Sequence, residues 1–242
     1  MTTYAREVPS EYDLRGGQVN RQTRSVRRPQ TAQEVALVEL RELILTGGVR
    51  PGEQLIQDAI ANQLAISRVP VREALKILEG EGLVTYSPHH GYIVTKLSRE
   101  EILEVYRIRD LLEDEAAAKA VGRLTEADFA AMARANEQLS VAYASGNLTD
   151  ILWANREFHY ILFRRGGTER LSKLIRIVWD SIEPYRSRYF ADTEHHARQT
   201  AEHLAIMEAA RAGDVEQVLA LSRAHRQQAL AAIQDLLVDE SG

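Results

Sequence analysis

The chain has no cysteine among its 242 residues. Disulfides, thiolate metal sites and cysteine nucleophiles are therefore excluded. Aromatic residues make up only 6%, and 14 glycines and 6 prolines are too few for a collagen-like or low-complexity chain. No apolar run approaches the roughly 18 residues that a membrane-spanning helix needs. Met1 to Arg6 is polar, so no secretory signal is expected. What remains is a soluble, mainly α protein of one or two domains, expected in the cytoplasm and without a membrane partner.

The net charge of −5 argues against a nucleic-acid binder until its placement is considered. Residues 1–97 hold 12 Lys and Arg against 11 Asp and Glu, while residues 98–242 hold 18 against 24. A near-neutral first part and an acidic second part suggest two domains with different tasks.

Residues 1–30 lack apolar periodicity and carry Arg21, Arg24, Arg27 and Arg28 with no acid between them, which reads as a mobile arm. From Thr31 the period turns helical, and Gly47-Gly48 ends the first helix near Thr46. A second helix is expected from about Gln54 to Leu64. A third is expected over Arg68 to Glu79, capped by Ser67, with Pro70 placed early where its missing N–H does no harm. Leu83 to Tyr86 and Tyr92 to Thr95 are β-prone runs around the turn-rich Ser87-Pro88-His89-His90-Gly91, a hairpin signal. Three helices and a hairpin, over residues 31–96, give the order of a winged helix-turn-helix. Residues 97–242 then read as six helices with short connections, an all-helical antiparallel bundle.

On the third helix, Arg68, Arg72 and Lys76 recur every four residues, opposite the apolar Val71, Leu75 and Leu78. A basic stripe on an amphipathic helix after a tight turn suits insertion into a DNA major groove. Arginine can bridge guanine or clamp phosphate, lysine serves as a point charge, and the Ser67 hydroxyl can reach a phosphate. In the bundle, polar residues on apolar faces stand out. Asn155 and His159 are one turn apart, His203 shares a face with Met207, and His225 shares one with Val218 and Leu221. Three inward histidines from three helices can converge on a divalent ion such as Zn or Ni, or form a metal-free polar pocket for an anion.

The runs Leu40-Arg41-x-x-Ile44-Leu45-x-Gly47, Pro51-Gly52-Glu53, Ser67-Arg68-Val69-Pro70-Val71-Arg72-Glu73-Ala74-Leu75 and Gly91-Tyr92-x-Val94 closely resemble the GntR family of bacterial transcription regulators. The helical remainder looks like the FadR-type subfamily with its FCD effector domain. The resemblance implies that Arg41, Arg68 and Arg72 contact DNA and that the wing tip at His90-Gly91 enters the minor groove. Asp58 stands where many relatives place a basic residue, Ala65 replaces the usual turn glycine, and Val69 replaces a common threonine.

By the same resemblance, Asn155, His159, His203 and His225 occupy a metal-ligand pattern. Asparagine in place of its carboxylate weakens the site, because an anionic ligand is lost. Arg109, with Glu113 one turn on, is the candidate for gripping an effector carboxylate. The chain as a whole then reads as a homodimeric regulator of a pseudo-palindromic double-stranded operator, controlled by a small organic acid bound in residues 97–242. The linker Thr95 to Ser98 and the first bundle helix are its expected lever. The alternative is a metal-dependent helical enzyme with an appended winged helix, although no hydrolase or phosphate-loop motif occurs.

Overall fold

The computed structural model describes residues 31–190 and 195–239; the arm expected over residues 1–30, with Arg21, Arg24, Arg27 and Arg28, lies outside the described residues. Helix α1 (Ala32–Leu45) opens on a capping box in which Thr31 and Glu34 satisfy each other's backbone N–H groups. The chain then turns at Pro51-Gly52, and here the structure departs from the expected second helix. Gln54–Leu55 form a short strand, β1, and α2 starts later, at Gln57–Gln63. The turn lays Gly52 and Glu53 beside the wing, where Gly52 N–H donates to the Val94 carbonyl at 2.8 Å and Val94 N–H to the Glu53 carbonyl at 2.9 Å. An extended segment here covers a strand edge that a helix would leave unpaired.

Helix α3 (Arg68–Gly80) follows a tight turn in which Ala65 has φ 53°, the left-handed conformation that glycine accepts at least cost. Ser67 occupies the N-cap position, but its side chain makes no capping bond. The reason lies in the sequence: Pro70 sits three residues on and has no N–H to offer it. Strands β2 (Val84–Ser87) and β3 (Gly91–Val94) form the antiparallel wing, with Tyr86 opposite Tyr92, and the sheet order is β1-β3-β2. Leu40, Ile44, Val71, Leu75, Leu78 and Val94 bury the apolar faces of these elements in one core.

Six helices follow among the described residues: α4 (Arg99–Ala120), α5 (Glu126–Ser145), α6 (Leu148–Gly166), α7 (Glu169–Phe190), α8 (His196–Arg211) and α9 (Val215–Asp239). Ser98–Glu101 and Thr125–Asp128 are capping boxes, and the Asp214 side chain caps α9, as their spacing predicts. Helix α7 continues through Pro184. Helix α4 packs on α6, α7 and α9, while α5 packs on α6 and α8. The α4–α6 contact is close enough that a Cβ on Gly166 would lie 1.6 Å from the Ala116 carbonyl oxygen.

Two of the bundle's apolar clusters draw on the same four helices. One apolar cluster takes Ile102 and Tyr106 from α4, Leu152 from α6, Ile182 from α7 and Ile233 from α9. A second takes Ala116 and Ala117, Phe163, Trp179 and Val218 from the same four helices in turn. Between these positions lie buried polar residues, Arg109 and Glu113, Asn155 and His159, Asp180, and His225 and Arg226, and Glu183 follows directly after Ile182. A polar layer thus crosses the middle of an apolar bundle. Burying so many polar groups is unfavourable unless each finds a partner.

Candidate functional site

On the winged helix, Arg68, Arg72 and Lys76 are all exposed along one side of α3, as their spacing requires. They line a groove of about 770 Å³ with Gln57, Val69, Tyr86 and Tyr92. Arg68 Nε lies 2.9 Å from Asp58 Oδ1, and Lys76 Nζ lies 3.2 Å from Glu73 Oε1. Ser67 is exposed at the head of the same helix, and His90 and Gly91 form the wing tip, braced where the Gln54 side-chain amide donates to the His90 carbonyl. Arg41 is elsewhere. Its guanidinium pairs with Glu81 and donates to Asp180 Oδ2 of α7 at 3.0 Å, so it faces the helical domain and not the α3 groove.

The three histidines converge, with candidate ligand atoms within 4.8 Å of one another and all three rings buried. Each ring is oriented by its surroundings. His225 Nδ1 lies 2.7 Å from the Glu202 carboxylate, which fixes Nδ1–H as donor and turns the Nε2 lone pair away. His203 Nδ1 lies 3.0 Å from Asn136 Oδ1, and Asn136 Nδ2 in turn donates to the Thr200 carbonyl, so Asn136 must accept from the ring. His203 Nε2 is then a buried acceptor with no partner. The ring stacks on Phe158 at 4.0 Å, and His159 lies against Trp179.

Burial pushes the pKa of all three imidazoles below the ordinary value, that of His159 and His203 well below it. Neighbouring rings and the Arg186 and Arg109 guanidiniums add to the shift, while Glu202 opposes it at His225. At neutral pH the lone pairs are therefore available without proton competition. Neutral, preoriented, unmatched nitrogen donors on three helices fit a divalent transition ion.

Beside them lies a guanidinium cluster. Arg109 Nε donates to Glu113 Oε1 at 2.7 Å, Trp179 Nε1 donates to the same oxygen at 2.6 Å, and Arg226 Nη1 reaches Glu113 Oε2 at 3.3 Å. Burial raises the Glu113 carboxyl, but Arg109 and Arg226 outweigh it and hold the group ionised. Arg226 is further matched by Asp110 and Asp114. Arg109 and Arg186 are not fully matched. Both guanidiniums lie over the Trp179 ring, at 4.8 and 4.7 Å from its centroid, and Arg109 Nη1, Arg186 Nε, Glu183 Oε1 and the Tyr106 hydroxyl have no partner although buried. Two desolvated cations with spare N–H groups beside neutral imidazoles have the chemistry to accept a small anion.

Sequence reasoning brings Arg109, Glu113, His159, His203 and His225 to one place and overlooks Glu183, Arg186 and Gln199. Its signal for the histidines, a polar residue on an apolar helix face, applies equally to Glu183 and Arg186 beside Ile182 and Phe190. The expectation for Asn155 as a ligand meets an obstacle, because its Oδ1 accepts from Gln199 Nε2 at 3.1 Å and its Nδ2 is the unmatched atom.

A model of bacterial regulatory proteins of the gntR family matches residues 32–94, and one of the FCD domain matches residues 104–228. The HTH-type transcriptional regulator McbR of Escherichia coli (strain K12) is 32% identical over 146 residues, 60% of this chain and 66% of that protein. The HTH-type regulator YdhC of Bacillus subtilis (strain 168) is 29% identical over 173 residues, covering 70% of this chain and 76% of its own. The solved structure of E. coli McbR/YncC matches with a TM-score of 0.79 at 25% identity, over 86% of this chain and 99% of that one. A GntR regulator from Rhodococcus sp. RHA1 matches with a TM-score of 0.73 at 26% identity, over 85% and 99%.

Proposed function

The chain belongs to the GntR family of DNA-binding transcriptional regulators with an FCD effector domain, and from that premise we propose that it binds a divalent ion and a small organic acid in the polar layer of its helical bundle. The observation that carries this reading is the set of buried, unmatched polar atoms on Arg109, Arg186, Glu183 and His203. His159, His203 and His225 hold the ion, of the zinc or nickel class, and Arg109 and Arg186 take a carboxylate. The bound ion supplies positive charge and open coordination positions for an effector oxygen. Trp179 contacts both guanidiniums, and Glu113 holds Arg109 in place.

In the same reading, a homodimer sets two α3 helices on a pseudo-palindromic operator, with Arg68, Arg72 and Lys76 toward the DNA. The lever is α7, instead of the linker and α4 alone. Its Arg186 borders the effector, its Tyr185 hydroxyl accepts from the Leu97 N–H of the linker at 2.6 Å, and its Asp180 holds Arg41 of α1. One helix therefore touches the pocket, the linker and the DNA-binding domain. An effector acts only by favouring one placement of the two domains over another.

The test combines metal analysis with operator selection. Purified protein is stripped, titrated with Ni²⁺ or Zn²⁺ by calorimetry, and used to select fragments from genomic DNA. Wild type is expected to bind one ion per chain and His203→Ala to lose it, with operator affinity in the absence of effector unchanged. A wild type that takes up no ion, or a selection that yields no palindromic site with or without ion and an acid panel, overturns the reading.

A further inference from the structure

Resting on the reading of the histidines as an ion site, we infer that Asn155 faces that site as a hydrogen-bond donor, held so by Gln199 and Tyr143, and is not itself a ligand. The ion is then bound by three imidazoles alone. Asn155 hydrogen-bonds the oxygen or anion that occupies an open coordination position.

Three buried residues carry the argument. Asn155 lies one helical turn before His159 on α6, and Gln199 one turn before His203 on α8. The Asn155–Gln199 contact is therefore the layer next to the His159–His203 contact, on the same two helices. Gln199 uses both ends of its amide: Oε1 accepts from the Tyr143 hydroxyl and Nε2 donates to Asn155 Oδ1 at 3.1 Å. His196 stacks on the Tyr143 ring at 3.6 Å, which holds the far end of the relay. The Asn155 carbonyl is thus engaged by Gln199, and Nδ2, fully buried, is left without an acceptor.

An amide N–H₂ has no lone pair for a metal, but it donates well to an anion. A carboxylate at this position would ligate; the asparagine, fixed by Gln199, turns the fourth position into part of the anion receptor. The class of ligand follows. It is an anion whose oxygen both coordinates the ion and accepts from Asn155, with a carboxylate within reach of Arg109 and Arg186.

The test uses the full chain loaded with Co²⁺ and azide as the probe anion, read by the visible spectrum of the ion, with Ni²⁺ affinity measured by calorimetry. Removing a true ligand, or the residue that orients it, is expected to cost about 10–100-fold in ion affinity. If Asn155 is a donor, Asn155→Ala keeps Ni²⁺ affinity within about threefold, and azide binds about tenfold more weakly, the scale of one hydrogen bond to a charged group. Gln199→Leu, which leaves Asn155 in place but removes the residue that orients it, likewise keeps Ni²⁺ affinity within about threefold and weakens azide binding. Asn155→Ser, which restores a donor, recovers azide binding. Loss of ion affinity in Asn155→Ala, or azide that binds as tightly or more tightly because a coordination position has opened, overturns the inference and leaves the histidine site standing. If wild type takes up no ion, the underlying reading fails and this inference with it.

Discussion

Arg41 separates two physical roles that the same residue type can serve. As a DNA ligand it would neutralise a phosphate; in the fold it is bonded to Asp180 of α7 and to Glu81 at the end of α3. Asp180 is 1% exposed and also receives Arg156 and, at 3.5 Å, Arg176. At a protein surface with an effective dielectric near 20, one such pair is worth about 4 kcal/mol before desolvation. The Arg41 side chain is 19% exposed, so screening and the cost of ordering it reduce the net coupling to about 1–2 kcal/mol. The perturbation is a double-mutant cycle of Arg41→Ala and Asp180→Asn, measured by urea unfolding. Operator binding is followed by fluorescence anisotropy between 50 and 200 mM salt. The expected result is a coupling energy of about 1–2 kcal/mol, with the slope of log affinity against log salt unchanged in Arg41→Ala. A phosphate ligand behaves otherwise: its removal lowers the slope by about 0.9 per protomer. A lowered slope with no coupling to Asp180 refutes the interdomain role.

Arg72→Ala is expected to weaken binding to a selected operator by about 1–3 kcal/mol and to relax its sequence preference, read by anisotropy against single-base variants. Stability is expected to fall with acid, and the sign follows from the histidines. Their folded pKa is depressed, so between the folded value and the ordinary 6.5 the unfolded chain binds more protons, and lowering pH favours unfolding. A histidine that stays neutral in the fold from pH 7.5 to 5.5 contributes about 1.4 kcal/mol of loss over that range, so His159 and His203 together give up to about 3 kcal/mol. Urea midpoints at the two pH values measure this, and a His159→Phe, His203→Phe double variant should flatten the dependence. Gly166→Ala is expected to cost 3 kcal/mol or more, because its Cβ would meet the Ala116 carbonyl at 1.6 Å and backbone must move; a melting temperature within about 2 °C of wild type contradicts the close packing of α4 on α6.

Local signals carried most of the architecture. Capping boxes at Thr31, Ser98 and Thr125 mark helix starts in a few residues, and the helical period of the apolar positions supplies the faces. The segment at Gln54–Leu55 was not legible in the same way. Its conformation is set by the edge of β3, some forty residues later, and no local propensity reports a partner that distant. Ser67 shows a subtler limit, since its residue type predicts a cap that Pro70 then denies. In the bundle, polar residues on apolar faces identified the histidines because histidine is rare enough to be noticed. Glu183 and Arg186 carry the same signal in a helix where charged residues are common, and only packing distinguishes the inward pair from the solvated ones. The interdomain pairing of Arg41 was invisible for a further reason: its partners lie at the end of α3 and on α7, and the docking of two domains leaves no periodicity in either.

That docking gives the polar layer its reach. Arg156 Nη2 bonds Asp180 Oδ1, while Arg156 Nη1 stands 4.0 Å from Glu183 Oε2. Glu183 in turn holds Arg186 at 3.4 Å. From the pocket outward the order is Arg186, Glu183, Arg156, Asp180, Arg41. An anion that draws Arg186 toward itself weakens its contact with Glu183 and leaves the Glu183 charge to compete with Asp180 for Arg156. Asp180 then leans more on Arg41 and Arg176, both of which also hold Glu81 at the end of α3. In the proposed coupling the winged helix is therefore gripped more firmly when the pocket is filled, through a redistribution of charge along α7. The coupling is limited by the difference between two ion-pair arrangements of similar energy. That sets its scale at 1–3 kcal/mol, the usual range for communication between sites.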